Sequence, residues 1–256
     1  NFDRMEVEFY RDSDVAFEAF KAGEFDIYIE HQAKNWANGY NFPAVRRGEV
    51  IKAQIPHQIP TQSQGLFMNT RRATFSDVKV REALGLMFDF EWTNRALFSD
   101  AYQRTTSYYP NSEFSASGLP VGHEWLMLKP YKDQLPAKLF TEPFSLPQTD
   151  GRGIPRETMR KALALLAEAG WKLNGQRLQN ADGQPLRFEL LLVNPNLERL
   201  YQPYIENLNS IGIDARLRTV DRAQYKQRLD QFDFDMISMT LNQTLSPGLE
   251  QWQYFH

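Results

Sequence analysis

The most informative absence in this sequence is cysteine, because none of the 256 residues is one. Disulfides, thiolate metal sites and cysteine nucleophiles are therefore excluded. A chain without thiols suits an oxidising compartment, where a stray thiol is reactive, so the composition is compatible with export. No apolar run approaches the roughly 18 residues that a membrane-spanning helix needs, and we expect a chain that does not span a membrane.

Charges of the two signs nearly balance in this sequence. Lys and Arg together number 29, Asp and Glu together number 32, and the net charge is −3. Proteins that bind nucleic acid usually present a basic face, whereas the basic pairs Arg46-Arg47 and Arg71-Arg72 are short and separate. We therefore expect no nucleic-acid partner. Apolar residues make up 42% of the chain, which is enough for a packed core.

Signatures of common catalytic sites are missing as well. The sequence has neither a G-x-x-x-x-G-K-[ST] phosphate loop nor a G-x-S-x-G serine motif. No histidine has a second histidine four residues away, the spacing that places two zinc ligands on one face of a helix. The four histidines are His31, His57, His123 and His256. We therefore expect no metal ion and no other cofactor.

Carboxylates leave one route to catalysis open. Asp233 and Asp235 are two residues apart on a segment that we predict to be a strand, so both side chains are expected on the face opposite its apolar residues. A hydrolase could use these carboxylates or Glu250. The simpler interpretation is a solvated polar edge.

The first 64 residues predict a short β-α-β unit. Apolar and polar residues alternate over 5–10, as in a half-buried strand. Asp14 is a candidate N-cap for a helix that ends at Gly23, and a second strand is predicted over 25–29. A further strand is predicted over 50–55, although prolines interrupt its surroundings.

Strands and helices alternate through the rest of the chain. The segment 187–193 is apolar without interruption, as expected of a strand buried on both faces. Strands are predicted over 66–68, 187–193, 213–219 and from 232 onward, and helices over 76–88, 91–98, 155–170, 197–210 and 221–229. The alternation over 187–240 predicts a parallel sheet with right-handed crossovers. Residues 105–155 are predicted to be a long irregular excursion, which either covers a ligand site or wraps the surface.

A polar segment is predicted to follow the last strand. In open α/β sheets, ligands bind beyond the carboxyl ends of the strands. Residues 238–248 fall there and include Asn242, Gln243 and Thr244. Side-chain amides both donate and accept hydrogen bonds, which suits a peptide backbone. A plain surface turn is the alternative interpretation of this segment.

Four segments resemble the extracellular solute-binding proteins of family 5, which are peptide receptors of ABC importers. The segments are VAFEAFKAGEFD at 15–26, GLFMNTRRATFSDVKVREAL at 65–84, LLAEAGW at 165–171 and YKQRLDQFDFDM at 225–236. The residues at 88–94 and 105–112 are most similar to the YejA-type branch of this family.

The resemblance implies an α/β fold of the class II periplasmic-binding-protein type, in which two lobes close over an extended peptide. Residues 1–64 would form the C-terminal part of lobe one. Residues 65–256 would form most of lobe two, a parallel-rich sheet flanked by helices, with a hinge strand near 65–70. Family members are considerably longer, and the chain begins with Asn1 rather than Met. We therefore expect a fragment of an exported protein whose signal peptide has been removed.

The resemblance also implies a function. It predicts a monomeric periplasmic receptor, without enzyme activity, that delivers peptides or peptide-like compounds to an inner-membrane ABC permease. The expected ligand-binding residues are Asn69, Arg71, Tyr108, Tyr109, Asn242, Gln243 and Thr244. Many family members carry an acidic residue that pairs with the amino terminus of the peptide, and Gln243 occupies roughly that position. Either another carboxylate takes this part, or the ligand differs, and the same scaffold could also serve a non-peptide solute.

Overall fold

The computed structural model describes residues 3–255, with the backbone alone at residue 255. The helices in this range are α1 (Ser13–Ala22), α2 (Ala33–Asn38), α3 (Pro43–Arg46), α4 (Ala73–Ser76), α5 (Val78–Leu86), α6 (Phe90–Phe98), α7 (Gly122–Leu128), α8 (Lys138–Thr141), α9 (Arg156–Glu168), α10 (Glu198–Ser210), α11 (Arg222–Asp230) and α12 (Glu250–Phe255). The strands are β1 (Ser63–Met68), β2 (Lys172–Asn174), β3 (Arg177–Gln179), β4 (Arg187–Leu192), β5 (Asp214–Thr219) and β6 (Met236–Leu241). In this part of the chain, no helix has the length and apolar character needed to cross a membrane.

Four strands form the main sheet in the order β1-β6-β4-β5. The central strand β4 runs parallel to both neighbours, with Leu190 opposite Leu217 of β5 and opposite Met236 of β6. The predicted parallel arrangement over 187–240 is therefore confirmed. β1 adds an antiparallel edge next to β6, in which Met68 lies opposite Met236. The remaining pair, β2 and β3, forms a separate small hairpin.

The sheet is buried on both faces, which explains the unbroken apolar sequence of β4. Leu190 and Leu192 face a large cluster that also contains buried side chains of α5, α9 and α10. Leu191 faces the other side, where it packs with Ile237 and with side chains of α11. All three leucines are almost completely inaccessible to water. Burial of each contributes about 1.5–3 kcal/mol to folding, so the sheet is the main stabilising layer.

Aspartate caps set where three of the packed helices begin. The carboxylates of Asp77, Asp89 and Asp221 each accept a hydrogen bond from a backbone amide in the first turn of α5, α6 and α11. Such a cap stabilises a helix by about 1 kcal/mol, because it satisfies an amide that has no partner inside the helix. These helix positions agree with the prediction.

The β-α-β unit predicted for the first 64 residues is wrong in its strands. The helix is present as α1, although its N-cap is Asp12 rather than Asp14, and it ends at Gly23 with φ of 83°. Within the described range, residues 5–10, 25–29 and 50–55 belong to no helix and pair with no strand. Alternating apolar residues favour an extended backbone, but a strand also needs a neighbour, and none of the described residues supplies one.

The last strand begins later than predicted. β6 starts at Met236, because Phe232 has a left-handed backbone with φ of 52° and breaks the extended conformation. Asp233 and Asp235 therefore lie in a loop before the strand, not on one face of it. At its other end β6 reaches Leu241, so the polar segment after the sheet begins only at residue 242.

Candidate functional site

The predicted site residues that follow β1 and β6 lie at opposite ends of strand β6. We call the side of the sheet where β6 begins the amino edge and the side where it ends the carboxyl edge. Because β1 and β6 are antiparallel, Asn69 and Arg71 follow β1 at the amino end of β6. Residues 242–244 instead follow β6 at its carboxyl end. A strand of six residues is about 20 Å long. The structure therefore does not bring these two groups of residues together.

At the amino edge, Asn69 holds the loop before β6 in place. Its side chain is buried, and Nδ2 donates to the carbonyl oxygens of Phe232 and Phe234 at 2.9 and 2.8 Å. Its backbone amide donates to the carbonyl oxygen of Asp235 at 2.8 Å. The guanidinium of Arg71 stacks on the Phe232 ring at 3.9 Å from the centroid. Both side chains thus contact residues of the loop before β6.

The two aspartates of the predicted carboxylate pair are engaged by Arg72. Its guanidinium lies 2.8 Å from Asp233 and 3.6 Å from Asp235. The other carboxylate oxygen of Asp235 accepts a hydrogen bond from the backbone amide of Glu189 at 3.0 Å. These aspartates stabilise the amino edge, and β6 separates them from Glu250.

At the carboxyl edge, polar side chains contact one another. Gln243 is only 9% exposed, and its Oε1 accepts a hydrogen bond from Nε2 of Gln251 at 2.8 Å. Nε2 of Gln243 is buried and has no hydrogen-bond partner in the described part of the chain. Thr244 donates to the carbonyl oxygen of Ser246 at 2.7 Å, and Tyr254 donates to that of Asn242 at 3.5 Å. The segment after β6 is therefore tied to the first turns of α12.

Glu250 places a negative charge at the same edge. Its Oε1 accepts hydrogen bonds from the backbone amide of Gly248 at 2.8 Å and from Thr244 Oγ1 at 3.4 Å. The hydrogen bond from Gly248, followed by one from its own backbone amide, lowers the pKa of Glu250. The carboxylate thus stays ionised at a lower pH than an ordinary glutamate.

The long excursion reaches this edge through Tyr109. The Tyr109 hydroxyl forms a hydrogen bond with Gln251 and lies near the Glu250 carboxylate. Burial, and secondly the charge of Glu250, raise the pKa of Tyr109, while the hydrogen bond with Gln251 opposes the rise. The neighbouring Tyr108 is 57% exposed. We call Tyr109, Asn242, Gln243, Thr244, Glu250 and Gln251 the carboxyl-edge cluster.

Two serines shape the turn that presents Tyr109. Ser107 Oγ accepts hydrogen bonds from the amides of Tyr109 and Ala116, both at 3.1 Å. Ser112 Oγ donates to the carbonyl oxygen of Tyr109 at 2.9 Å. The tyrosine backbone is therefore held on both sides, although the excursion around it is largely irregular.

The prediction located part of this cluster and missed the rest. Tyr109 and residues 242–244 were expected near a ligand, whereas Gln251 was not, and Glu250 was considered only as a catalytic group. The signal for Glu250 and Gln251 is their position in the first turn of a helix that follows the Ser246-Pro247-Gly248 turn. Within residues 3–255, no three His, Asp or Glu side chains form a group that could hold a metal ion.

The chain is similar to a known protein family and to several proteins of known sequence. The profile of "Bacterial extracellular solute-binding proteins, family 5 Middle" matches residues 1–255. The peptidoglycan-binding protein YepA of Agrobacterium fabrum is 40% identical over 98% of the chain and 42% of the relative. The probable peptide-binding protein YejA of the same organism is 40% identical over 100% of the chain and 42% of the relative. The chain thus spans about two fifths of the length of these relatives, and the predicted resemblance is confirmed.

A solved structure supports the fold. The oligopeptide-binding protein AppA from Bacillus subtilis, in complex with a nonapeptide, superimposes with a TM-score of 0.63. The match covers 94% of the chain and 41% of AppA, and the sequences are 18% identical. At this identity the similarity shows that the fold is shared, and it leaves the ligand of the present chain to be argued from its own residues.

Proposed function

Because this chain belongs to the bacterial extracellular solute-binding proteins of family 5, we propose that it is part of a receptor that captures oligopeptides for an ABC importer. The names of two relatives, a probable peptide-binding protein and a peptidoglycan-binding protein, support a ligand that contains peptide. The receptor would act as a monomer in the periplasm, after removal of a signal peptide, and would deliver its ligand to an inner-membrane permease.

The proposal divides the chain between two lobes. Residues 1–64 form the C-terminal part of lobe one, residues 65–256 form most of lobe two, and the hinge strand near 65–70 overlaps the end of β1. Exposed apolar side chains in the unpaired segments 5–10 and 50–55 support this division. Met5, Phe9 and Ile51 are each more than 80% exposed, as expected of strand residues whose packing partners lie elsewhere in a longer protein.

The carboxyl-edge cluster carries the proposal. It combines the ionised Glu250, the buried side-chain amide of Gln243 and the hydroxyl of Tyr109 within one hydrogen-bonded surface. We assign Glu250 to the amino terminus of the peptide, in place of the acidic residue that position 243 lacks. The Nε2 of Gln243 lies just beneath this surface and has no acceptor among the described residues, so it would bind a peptide carbonyl after the amide turns outward.

Binding would work by lobe closure. One lobe offers part of the hydrogen-bond partners of the peptide, and closure of the second lobe completes them. A ligand with micromolar affinity contributes about 8 kcal/mol. The open and closed forms must therefore differ by only a few kcal/mol, because the ligand has to shift their populations.

The proposed receptor binds its ligand without reacting with it. Asp233 and Asp235 lie at the amino edge, where Arg72 contacts both of them. Glu250 lies at the other edge, so the three carboxylates do not converge on one substrate atom. The two catalytic carboxylates of a glycosidase, for example, flank a single bond at a separation of about 5–10 Å.

Calorimetry on the full-length receptor tests this function. Peptides with a free amino terminus and their N-acetylated forms should be titrated into wild-type protein, into Glu250→Gln and into Glu157→Gln. Glu157 is a matched control, because it is an exposed glutamate in the first turn of another helix, α9.

The free amino terminus should bind at least about tenfold more tightly than the acetylated form in wild type and in Glu157→Gln. Glu250→Gln should abolish the difference. Failure of the wild type to bind any peptide contradicts the receptor function. If Glu250→Gln still prefers the free amino terminus as strongly as wild type, only the assignment of Glu250 is contradicted, and the receptor function stands.

A further inference from the structure

The turn that carries Tyr109 also holds the segment that leads into β1. Nδ2 of Asn111 donates to the carbonyl oxygens of His57 and Ile59 at 2.9 and 3.1 Å. The backbone amide of Thr61 donates to the carbonyl oxygen of Pro110 at 3.0 Å. We call these three hydrogen bonds the Asn111 clamp. They join residues 57–61 to a turn some 50 positions further along the chain.

The chemistry of asparagine suits this position. Asn111 has a left-handed backbone with φ of 61°, a conformation that Asn tolerates better than most side chains. A side-chain amide carries two N–H donors, and two backbone carbonyls accept from it here. An ionised aspartate has the same shape but no donor, so it would direct negative charge toward both carbonyls.

The same turn also contacts the carboxyl-edge cluster, through Tyr109, which lies two residues before Asn111. Tyr109 forms a hydrogen bond with Gln251, while Ser107 and Ser112 fix its backbone. Tyr109 and Asn111 therefore lie in one short turn that is held by its own hydrogen bonds. Asn111 in turn contacts the segment 57–61.

We propose that Asn111 is a positioning residue that couples ligand contact at the carboxyl-edge cluster to the segment entering the hinge strand. The coupling rests on the proposed function, because residues 57–61 cross between lobes only in a two-lobed receptor. Asn111 itself touches no ligand. Its effect is to make the segment 57–61 and Tyr109, which contacts the ligand, move as one unit.

Hydrogen exchange on the full-length receptor tests the coupling, with and without a bound peptide. Asn111→Gly removes the two side-chain hydrogen bonds of the clamp and leaves the backbone bond from Thr61 to Pro110. It also preserves the backbone, because glycine accepts the left-handed conformation. Asn111→Asp reverses the polarity of the side chain. Gln103→Glu is the control, since it adds a charge at an exposed position just before the excursion and leaves the clamp intact. Thermal unfolding of each variant establishes that it is folded.

In Asn111→Gly, exchange of the Ile59 and Thr61 amides should accelerate about tenfold without peptide, because the segment 57–61 loses two of its three hydrogen bonds to the turn and opens more readily. Peptide should slow this exchange in wild type and in Gln103→Glu but no longer in either Asn111 variant, while the amide of Gly248 is still protected. A merely structural role would leave the peptide-induced slowing unchanged, and that result overturns the coupling.

Failure of the proposed function gives a different pattern. If the wild-type receptor binds no peptide, the exchange rates measured without peptide still show whether Asn111 holds the segment 57–61. Faster exchange of residues 57–61 in Asn111→Gly then supports the clamp, and unchanged exchange overturns it.

Discussion

The side-chain amide of Gln251 donates to the side-chain oxygen of Gln243 at 2.8 Å, and thereby joins the start of α12 to the segment that leaves the sheet. This contact gathers the polar groups at the carboxyl ends of the parallel strands. In open α/β sheets that is the edge where ligands bind. The opposite edge is closed by contacts of the chain with itself, chiefly those of Asn69 and Arg72.

Peptide affinity should depend on pH through Glu250. The hydrogen bonds from Gly248 and from its own amide lower the pKa of this carboxylate. A carboxylate contributes to the binding of an amine while it is ionised and ceases to contribute as the pH falls through its pKa. Calorimetry should therefore show constant affinity from neutral pH down to about 4.3, the ordinary glutamate pKa, and a fall only below it. The same fall in Glu250→Gln would contradict this origin.

Replacement of Gln243 by leucine should separate binding from stability. Leucine has a similar volume and fills the buried position, and the Gln251 amide retains a contact with Glu250 at 3.3 Å. We expect the free energy of unfolding to change by less than about 1.5 kcal/mol and peptide affinity to fall about tenfold. Urea unfolding and calorimetry on the full-length receptor measure the two quantities. Equal affinity for wild type and Gln243→Leu would exclude Gln243 from the ligand site.

Replacement of Asn69 by alanine should destabilise the fold. The carbonyl oxygens of Phe232 and Phe234 would lose their donor inside a buried site, at a cost of about 1–3 kcal/mol. Asn174→Ala is the matched control, because the exposed Asn174 donates only to another side chain of the β2–β3 hairpin. Urea unfolding should show a large loss for Asn69→Ala and a change below about 0.5 kcal/mol for the control. Similar losses for both would contradict the structural role of Asn69.

Most of the fold of residues 65–241 could be predicted from the sequence, because its signals are local. Apolar periodicity and aspartate caps indicate α5, α6 and α11 directly, and the unbroken apolar segment indicates β4. The start of β6 was missed, since the left-handed backbone of Phe232 depends on tertiary contacts. That residues 5–10 and 25–29 have no pairing partner among the described residues could not be foreseen either, because pairing is a non-local property.

The candidate site was predictable only in part, for a similar reason. The rule that ligands bind beyond parallel strands located residues 242–244. It did not locate Asn69 relative to them, because the antiparallel pairing of β1 with β6 places Asn69 at the other edge. The contacts of Tyr109 with Gln251, and of Asn111 with residues 57–61, join segments far apart in the chain and leave no local sequence signal.

Mass spectrometry of small molecules released from the full-length receptor, purified without refolding, tests the central claim most directly. The account predicts intact peptides with free amino termini, bound at a ratio of one per receptor and displaced by added peptide. Recovery of a non-peptide solute as the bound species, or conversion of added peptide to cleavage products by the purified receptor, would contradict it.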